Sequence, residues 1–306
     1  MSEQNLQSQT VQTTGHAWDG DLQEFNNPLP TWWVFTFYVT IVFSIVYWFI
    51  YPSWPIGKGF LAGLSNISYV NKAGETVSTH WNTRALLMEG LNKTDEMQKP
   101  YFSKVAANDF SQIAKDPELS GFVLSAGKVL FTDNCAPCHQ QGGQGKVGFF
   151  PNLTDDDWLY GGSFEKIHQS ITGGRHGYMP AFGEVLNAAE IDALANYVAS
   201  LSGIAHDSGK AASGKTLFTS ETAACYYCHS ASGAGRQDLG APNLTDKIWL
   251  WANVPAAEKP EDKVAAIRST IAAGVNKGVM PAWGGRLSPE QIKVLTVYVH
   301  ELGGGK

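Results

Sequence analysis

Charge is scarce in this chain. Only 16% of its 306 residues are Asp, Glu, Lys or Arg, and the 22 bases fall short of the 28 acids. Without a basic surplus to neutralise phosphates, nucleic acid is excluded as a partner. The first 30 residues hold four acids, Glu3, Asp19, Asp21 and Glu24, and no Lys or Arg. A cleaved signal peptide, which needs a basic opening, therefore fits poorly. Cysteine and methionine are also sparse, at four and five. Long uncharged apolar runs are missing but for one. A hydrophobic content of 43% still allows a packed core, and the length suggests about two domains.

All four cysteines fall in two copies of one pattern, Cys135-Ala-Pro-Cys138-His139 and Cys225-Tyr-Tyr-Cys228-His229. This is the attachment signature of c-type haem. Two thiols separated by two residues can form thioethers to the vinyl groups of one porphyrin, and the following imidazole then meets the iron. A zinc ribbon is the main rival, but its knuckles lie about 15–20 residues apart, whereas Cys138 and Cys225 are separated by 87 positions. A redox dithiol or disulfide pair would not call for a histidine after each pair. The expected cofactors are two covalently bound haem c groups.

The chain repeats itself around these motifs. Residues 125–139 match 212–229, Pro151-Asn-Leu-Thr-Asp matches Pro242-Asn-Leu-Thr-Asp, residues 171–183 match 271–284, and 191–203 match 292–304. Each copy carries one Met-Pro-Ala, at Met179 and Met280, 40 and 51 residues after its haem histidine. A methionine is usually core filler, yet two at matched positions in a chain with so few point to axial thioether ligands, which raise a haem's potential. His168 and His176 are rivals for the first iron; their equivalents, Arg268 and Lys277, argue for solvated polar positions. His80, His206 and His300 have no repeat partner and read as structural or exposed. The difference in spacing falls mainly in 252–262, a surface-loop insertion by composition. Pro151, Leu153, Trp158 and Tyr160, with Pro242, Leu244, Trp249 and Trp251, are candidate pocket walls.

The fold class expected is mainly α: one N-terminal transmembrane helix followed by two tandem cytochrome c domains. Helices are predicted before each haem motif (122–131 and 212–218), in the middle of each copy (164–172 and 262–273), and at each end, where Asn187 with Glu190 and Ser288 with Gln291 form capping-box patterns. The final helices carry stripes Leu194, Tyr197, Val198, Leu201 and Leu295, Tyr298, Val299, Leu302 that would pack on the opening helix. The uncharged run is Thr31 to Tyr51, 21 residues bracketed by Trp32, Trp33, Trp48, Tyr51 and Trp54, about the length that spans a bilayer. The domains are then an N-terminal arm (1–30), a transmembrane helix (31–51), an arm without chemical motif (52–120), and cytochrome c domains at 121–203 and 204–306. Flanking charge gives no support to a cytoplasmic N-terminus, but haem is attached to this motif on the periplasmic side in bacteria. The expectation is therefore a single-pass inner-membrane chain, N-terminus in, with periplasmic haem domains.

The segment Gly15 to Trp33, especially Asp19-Gly20, Asn27-Pro28-Leu29-Pro30 and Trp32-Trp33, followed by one membrane helix and two Cys-x-x-Cys-His copies with downstream Met-Pro, resembles the dihaem subunit III of bacterial cbb3-type cytochrome c oxidases. The resemblance covers essentially the whole chain. It implies that His139 with Met179, and His229 with Met280, ligate two low-spin haems. It also implies partners: a donor cytochrome c, the monohaem subunit and the haem-copper subunit where oxygen is reduced. Some members have a further membrane helix before this arm, which this chain replaces with a polar stretch. Alternatives are a free-standing membrane-anchored dihaem shuttle and a dihaem peroxidase; the specific arm speaks against the first and two matched methionines against the second. No catalytic residue is expected on this chain. Residues 121–203 carry a net charge of −4, including Asp155, Asp156 and Asp157, while 204–306 carry +2, so the first domain could steer a basic donor.

Overall fold

The computed structural model describes residues 12 to 303. It is mainly helical, as expected, and divides into two units, Met1–Met97 and Gln98–Lys306.

The first unit opens with a hairpin of β1 (Thr13–Trp18) and β2 (Leu22–Phe25), whose strands are joined by a loop with positive φ at Asp19 and Gly20. Pro30 precedes α1 (Thr31–Ile50), which has no buried residue and a mean hydropathy of 1.9 over its most apolar stretch. The hydroxyls of Thr36, Thr40 and Ser44 donate to the carbonyls of Trp32, Phe37 and Thr40, so the few polar side chains are satisfied inside the helix, as a bilayer demands. Beyond α1 come the short strands β3 (Pro55–Ile56) and β4 (Gly59–Phe60), and a longer hairpin of β5 (Asn66–Val70) and β6 (Thr76–His80). Trp48 meets Trp54 edge-on at 4.9 Å and Tyr51 meets Trp81 at 5.2 Å, an aromatic collar at this end of the apolar helix.

Helix α2 (Thr83–Ala107) carries Pro100 and contains the boundary between the units. The haem-motif unit thus begins earlier than the expected residue 121. Val105 of α2, Ile113 of α3 (Phe110–Lys115) and Leu119 of α4 (Pro117–Asn134) are all buried in its first core. The remaining helices are α5 (Ala136–His139), α6 (Phe164–Gly173), α7 (Ala188–Leu201), α8 (Ser208–Phe218), α9 (Cys225–His229), α10 (Pro260–Ala273) and α11 (Pro289–His300). Both expected capping boxes form, at Asn187/Glu190 and Ser288/Gln291.

The two copies are not packed as two consecutive blocks. The closing helix of the first copy, α7, packs on α8 and α10 of the second, and α11 packs on α4 and α6 of the first. One core joins Leu194, Tyr197 and Val198 to Phe218, Ile267 and Ile271; the other joins Leu295, Tyr298 and Val299 to Val123, Phe131, Ile167 and Ile171. The stripes pack on an opening helix as anticipated, but on that of the other copy. Full burial of such side chains stabilises by about 1.5–3 kcal/mol each, so the exchange is held by most of the apolar area in both cores. The insertion at 252–262 is not wholly surface either: Ala252 and Val254 are 5% and 4% exposed, within the second core.

Candidate haem sites

Each Cys-x-x-Cys-His forms one short helical turn. The residue after each histidine takes a left-handed conformation without being glycine, Gln140 at φ 63° and Ser230 at φ 60°, an uncommon geometry repeated at both sites. His139 Nδ1 lies 3.0 Å from the carbonyl oxygen of Pro151, and His229 Nδ1 lies 3.0 Å from that of Pro242. A carbonyl only accepts, so each Nδ1 carries the proton and each Nε2 keeps its lone pair for a metal. Burial pushes both imidazoles below their usual range, which favours the neutral, ligating form. Burial also raises the thiols of Cys135 and Cys225 to about 11, opposite to the lowered value of a reactive dithiol.

The methionines come from the exchanged copy. Met280 packs in the core that holds Cys135, Leu153, Trp158 and Phe131, and Met179 packs in the core that holds Cys225, Leu244, Trp249 and Phe218. The expected pairing of His139 with Met179 and His229 with Met280 is therefore not what the packing brings together. The reason lies in the crossing of the two Met-Pro loops. Arg175 and Met280 exchange backbone hydrogen bonds of 3.0 and 2.8 Å, and Met179 and Val275 exchange bonds of 2.8 and 2.9 Å. Beyond the crossing, Trp283 N–H and Gly284 N–H donate to Ile171 and Thr172 at the end of α6, while Phe182 and Gly183 donate to Ile271 and Ala272 at the end of α10. The orphan carbonyls of each middle helix are thus capped by the other copy. Gly174 and Gly274, at φ 69° and 66°, allow this: a Cβ there would lie 2.5 Å from Met280 O or 2.6 Å from Met179 O.

A covalent haem fits both sites. Each offers two thiols on one turn, an oriented imidazole and a thioether in the same core. At the first, Trp158 Nε1 is buried with no hydrogen-bond partner, a donor awaiting an acceptor such as a propionate. Among the pocket walls anticipated, Leu153, Trp158, Leu244 and Trp249 join the cores, and Pro151 and Pro242 supply the imidazole acceptors. Tyr160 lies instead under the Arg175 guanidinium and against Gly240, and Trp251 against Gly278. His168 meets the ring of Phe110, which packs on the first core, and His176 Nε2 meets Asn276 Oδ1 at 3.0 Å. His80 meets Phe60 edge-on, His206 Nδ1 donates to Ile204 O, and His300 lies on Phe164.

The triple aspartate is not a solvated patch. Asp155 and Asp157 line a cavity of about 240 Å³ between the matching loops of the two copies, with Asn152, Lys247 and Ile248. Burial, then Asp246 and Asp155, push the Asp157 carboxyl up to about 6. Of the three, Asp156 is exposed and Asp155 and Asp157 are half-buried. Because the folded value lies above the ordinary 3.8, the stability linked to this group is present below pH 4 and lost as pH rises through about 6. Asp157→Asn should therefore stabilise the protein at pH 7, by on the order of 1 kcal/mol after allowance for solvent screening, and progressively less towards pH 4. Denaturant titrations at both pH values check this; a benefit that does not shrink on acidification is the contrary result.

Comparisons with known proteins agree with this organisation. The N-terminal domain of cytochrome oxidase-cbb3, FixP, matches residues 10–58, and cytochrome c oxidase, cbb3-type, subunit III matches residues 123–198 and 209–299. The cbb3-type cytochrome c oxidase subunit FixP of Azorhizobium caulinodans is 45% identical, covering 96% of this chain and 94% of its own length. That of Bradyrhizobium diazoefficiens is 43% identical over 96% and 95%. Subunit CcoP of Rhodobacter capsulatus is 38% identical over the whole of both chains. The chain belongs to the subunit III family of cbb3-type cytochrome c oxidases.

Proposed function

We propose that this chain is the membrane-anchored dihaem subunit of a cbb3-type oxidase, carrying electrons from a donor cytochrome c to the monohaem and haem-copper subunits. In this reading His139 with Met280 holds the haem attached at Cys135 and Cys138, and His229 with Met179 holds the haem attached at Cys225 and Cys228. The observation that carries it is the repeated site: an imidazole oriented by a proline carbonyl, with a methionine from the crossing loop in the same core.

Each haem, when bound, supplies a reversible one-electron iron couple. The chain's own residues do the rest. Pro151 and Pro242 fix the imidazole tautomers. The methionines favour the reduced state relative to a second imidazole. Phe131, Trp158, Phe218 and Trp249 keep water from the sites. α1 tethers the unit to the bacterial inner membrane, with the haem sites on the periplasmic side.

Gentle detergent purification through a tag on the full chain tests the reading. Two haem c per chain, with co-purifying b-type haem, copper and oxygen consumption, is expected. One haem per chain, or a dihaem chain isolated without the other redox centres, would overturn it, the latter in favour of a free shuttle. For the topology, a periplasm-dependent reporter fused after Lys306 should be active; activity confined to a cytoplasmic reporter is the opposing outcome.

A further inference from the structure

Trp251 stands two residues after Trp249, a wall of the core around Cys225, but its segment meets two loops that belong with the other site, one through the Trp251 ring and one through the backbone of Leu250. One is the loop that carries Met280. A Cβ on Gly278 would lie 2.5 Å from the Trp251 ring, and 3.0 Å from Phe149 O. The other is the 146–150 loop that follows His139. Gly148 N–H donates to Leu250 O at 2.5 Å, tying the Trp251 segment to it. Lys277 Nζ, from the Met280 loop, sits 5.6 Å from the centre of the Phe149 ring, with Lys146 on the same ring at 4.8 Å. Trp251, Gly278 and Phe149 thus form one seam, in which the indole lies against Gly278 of the Met280 loop and the neighbouring Leu250 carbonyl ties the segment to the 146–150 loop.

We infer that Trp251 is a positioning residue for Met280: its indole holds the Met280 loop shut against the 146–150 loop and so keeps the thioether on its iron. Gly278 is required there because any side chain would occupy the place of the indole. Loops of this kind open at a cost well below that of global unfolding, and an axial methionine lost to opening is replaced by a stronger-field ligand or by water. Removing the indole leaves the Met280 loop held to the 146–150 loop by the Lys277 contact on Phe149, while the Gly148–Leu250 bond no longer bears on Gly278. The role rests on Met280 being an axial ligand, but not on which haem it serves.

The test uses the full chain in detergent and the methionine-to-iron charge-transfer band of the oxidised protein. In a Met179→His background the band reports Met280 alone; in a Met280→His background it reports Met179 alone. Trp251→Ala should make the Met280 band disappear about one pH unit earlier in an alkaline titration, a roughly tenfold rise in the ligand-off population. Trp251→Phe should restore most of the difference. The Met179 band should titrate unchanged in Trp251→Ala. An unshifted Met280 band, or equal shifts in both bands, would overturn the assignment, since the second result describes general loosening rather than a clamp. Absence of any band in the Met179→His background before Trp251 is touched would instead overturn Met280 as a ligand.

Discussion

Met280→Ala should lower the potential of the haem attached at Cys135 and Cys138 and leave the haem attached at Cys225 and Cys228 with its own methionine. The expected fall is on the order of 0.1 V, part of the roughly 0.8 V range that axial ligands span. Telling the haems apart decides the matter. Cys135→Ala leaves one vinyl group of the first haem unsaturated and displaces that haem's visible band, so its reduction can be followed separately. In that labelled chain, Met280→Ala should shift the labelled haem and Met179→Ala the unlabelled one. The reverse assignment would restore the pairing within each copy that the sequence resemblance implies, and would contradict the packing of Met280 with Cys135 and of Met179 with Cys225.

Gly214→Ala is expected to be the most damaging single methyl group in the molecule's helices. Gly214 lies where α8 crosses α7, and a Cβ there would meet Ala193 O at 2.0 Å and Ala193 C at 2.5 Å. Backbone cannot step aside without moving α7, so a cost of about 3 kcal/mol or more is expected, at the upper end for overpacked cores. The matched Gly127 is obstructed by Tyr298 Cβ at 2.6 Å, against 2.0 Å at Gly214, so α11 has less far to shift and Gly127→Ala should cost less. Denaturant unfolding followed by haem absorbance checks both the size and the order. A cost of under about 1 kcal/mol for Gly214→Ala would mean that the helices do not cross so closely.

The candidate residues of the sites could be singled out because their chemistry is local. Cys-x-x-Cys-His is contained in five residues, and the repeat identified Met179 and Met280 without any fold. The helix ends were readable for the same reason, since Asn187 with Glu190 and Ser288 with Gln291 cap their own backbones. Which methionine packs beside which cysteine motif was not legible. Tyr197 and Tyr298, Val198 and Val299, and Gly127 and Gly214 are equivalent pairs, so α4 can accept α7 or α11 with nearly the same local contacts. A repeat pattern records the kind of partner, not the copy that supplies it. The distinguishing features lie in the crossing, in the bonds between Arg175 and Met280 and between Met179 and Val275, and backbone bonds leave little trace in side-chain pattern. The stretch 52–120 failed differently. Its β5–β6 hairpin and long α2 are weakly patterned, and α2 contains Pro100, which reads as a break. The half-burial of Asp157 was not legible from three consecutive acids, although the matching position in the second copy is Ile248.

The exchange of α7 and α11 also sets an order of assembly. A chain made from its N-terminus has α7 already in hand when α8, Cys225-Tyr-Tyr-Cys228-His229 and α10 appear, so the core around Cys225 can be completed before Met280 and α11 are made. The first site, though its cysteines are made ninety residues earlier, must wait for Met280 and α11 at the far end of the chain. Until then its core lacks Leu295, Tyr298 and Val299. Contacts of such long separation form slowly. Synthesis cut short before α11 would therefore leave a finished second site beside an open first one, and the haem motif that emerges first is the last to be enclosed.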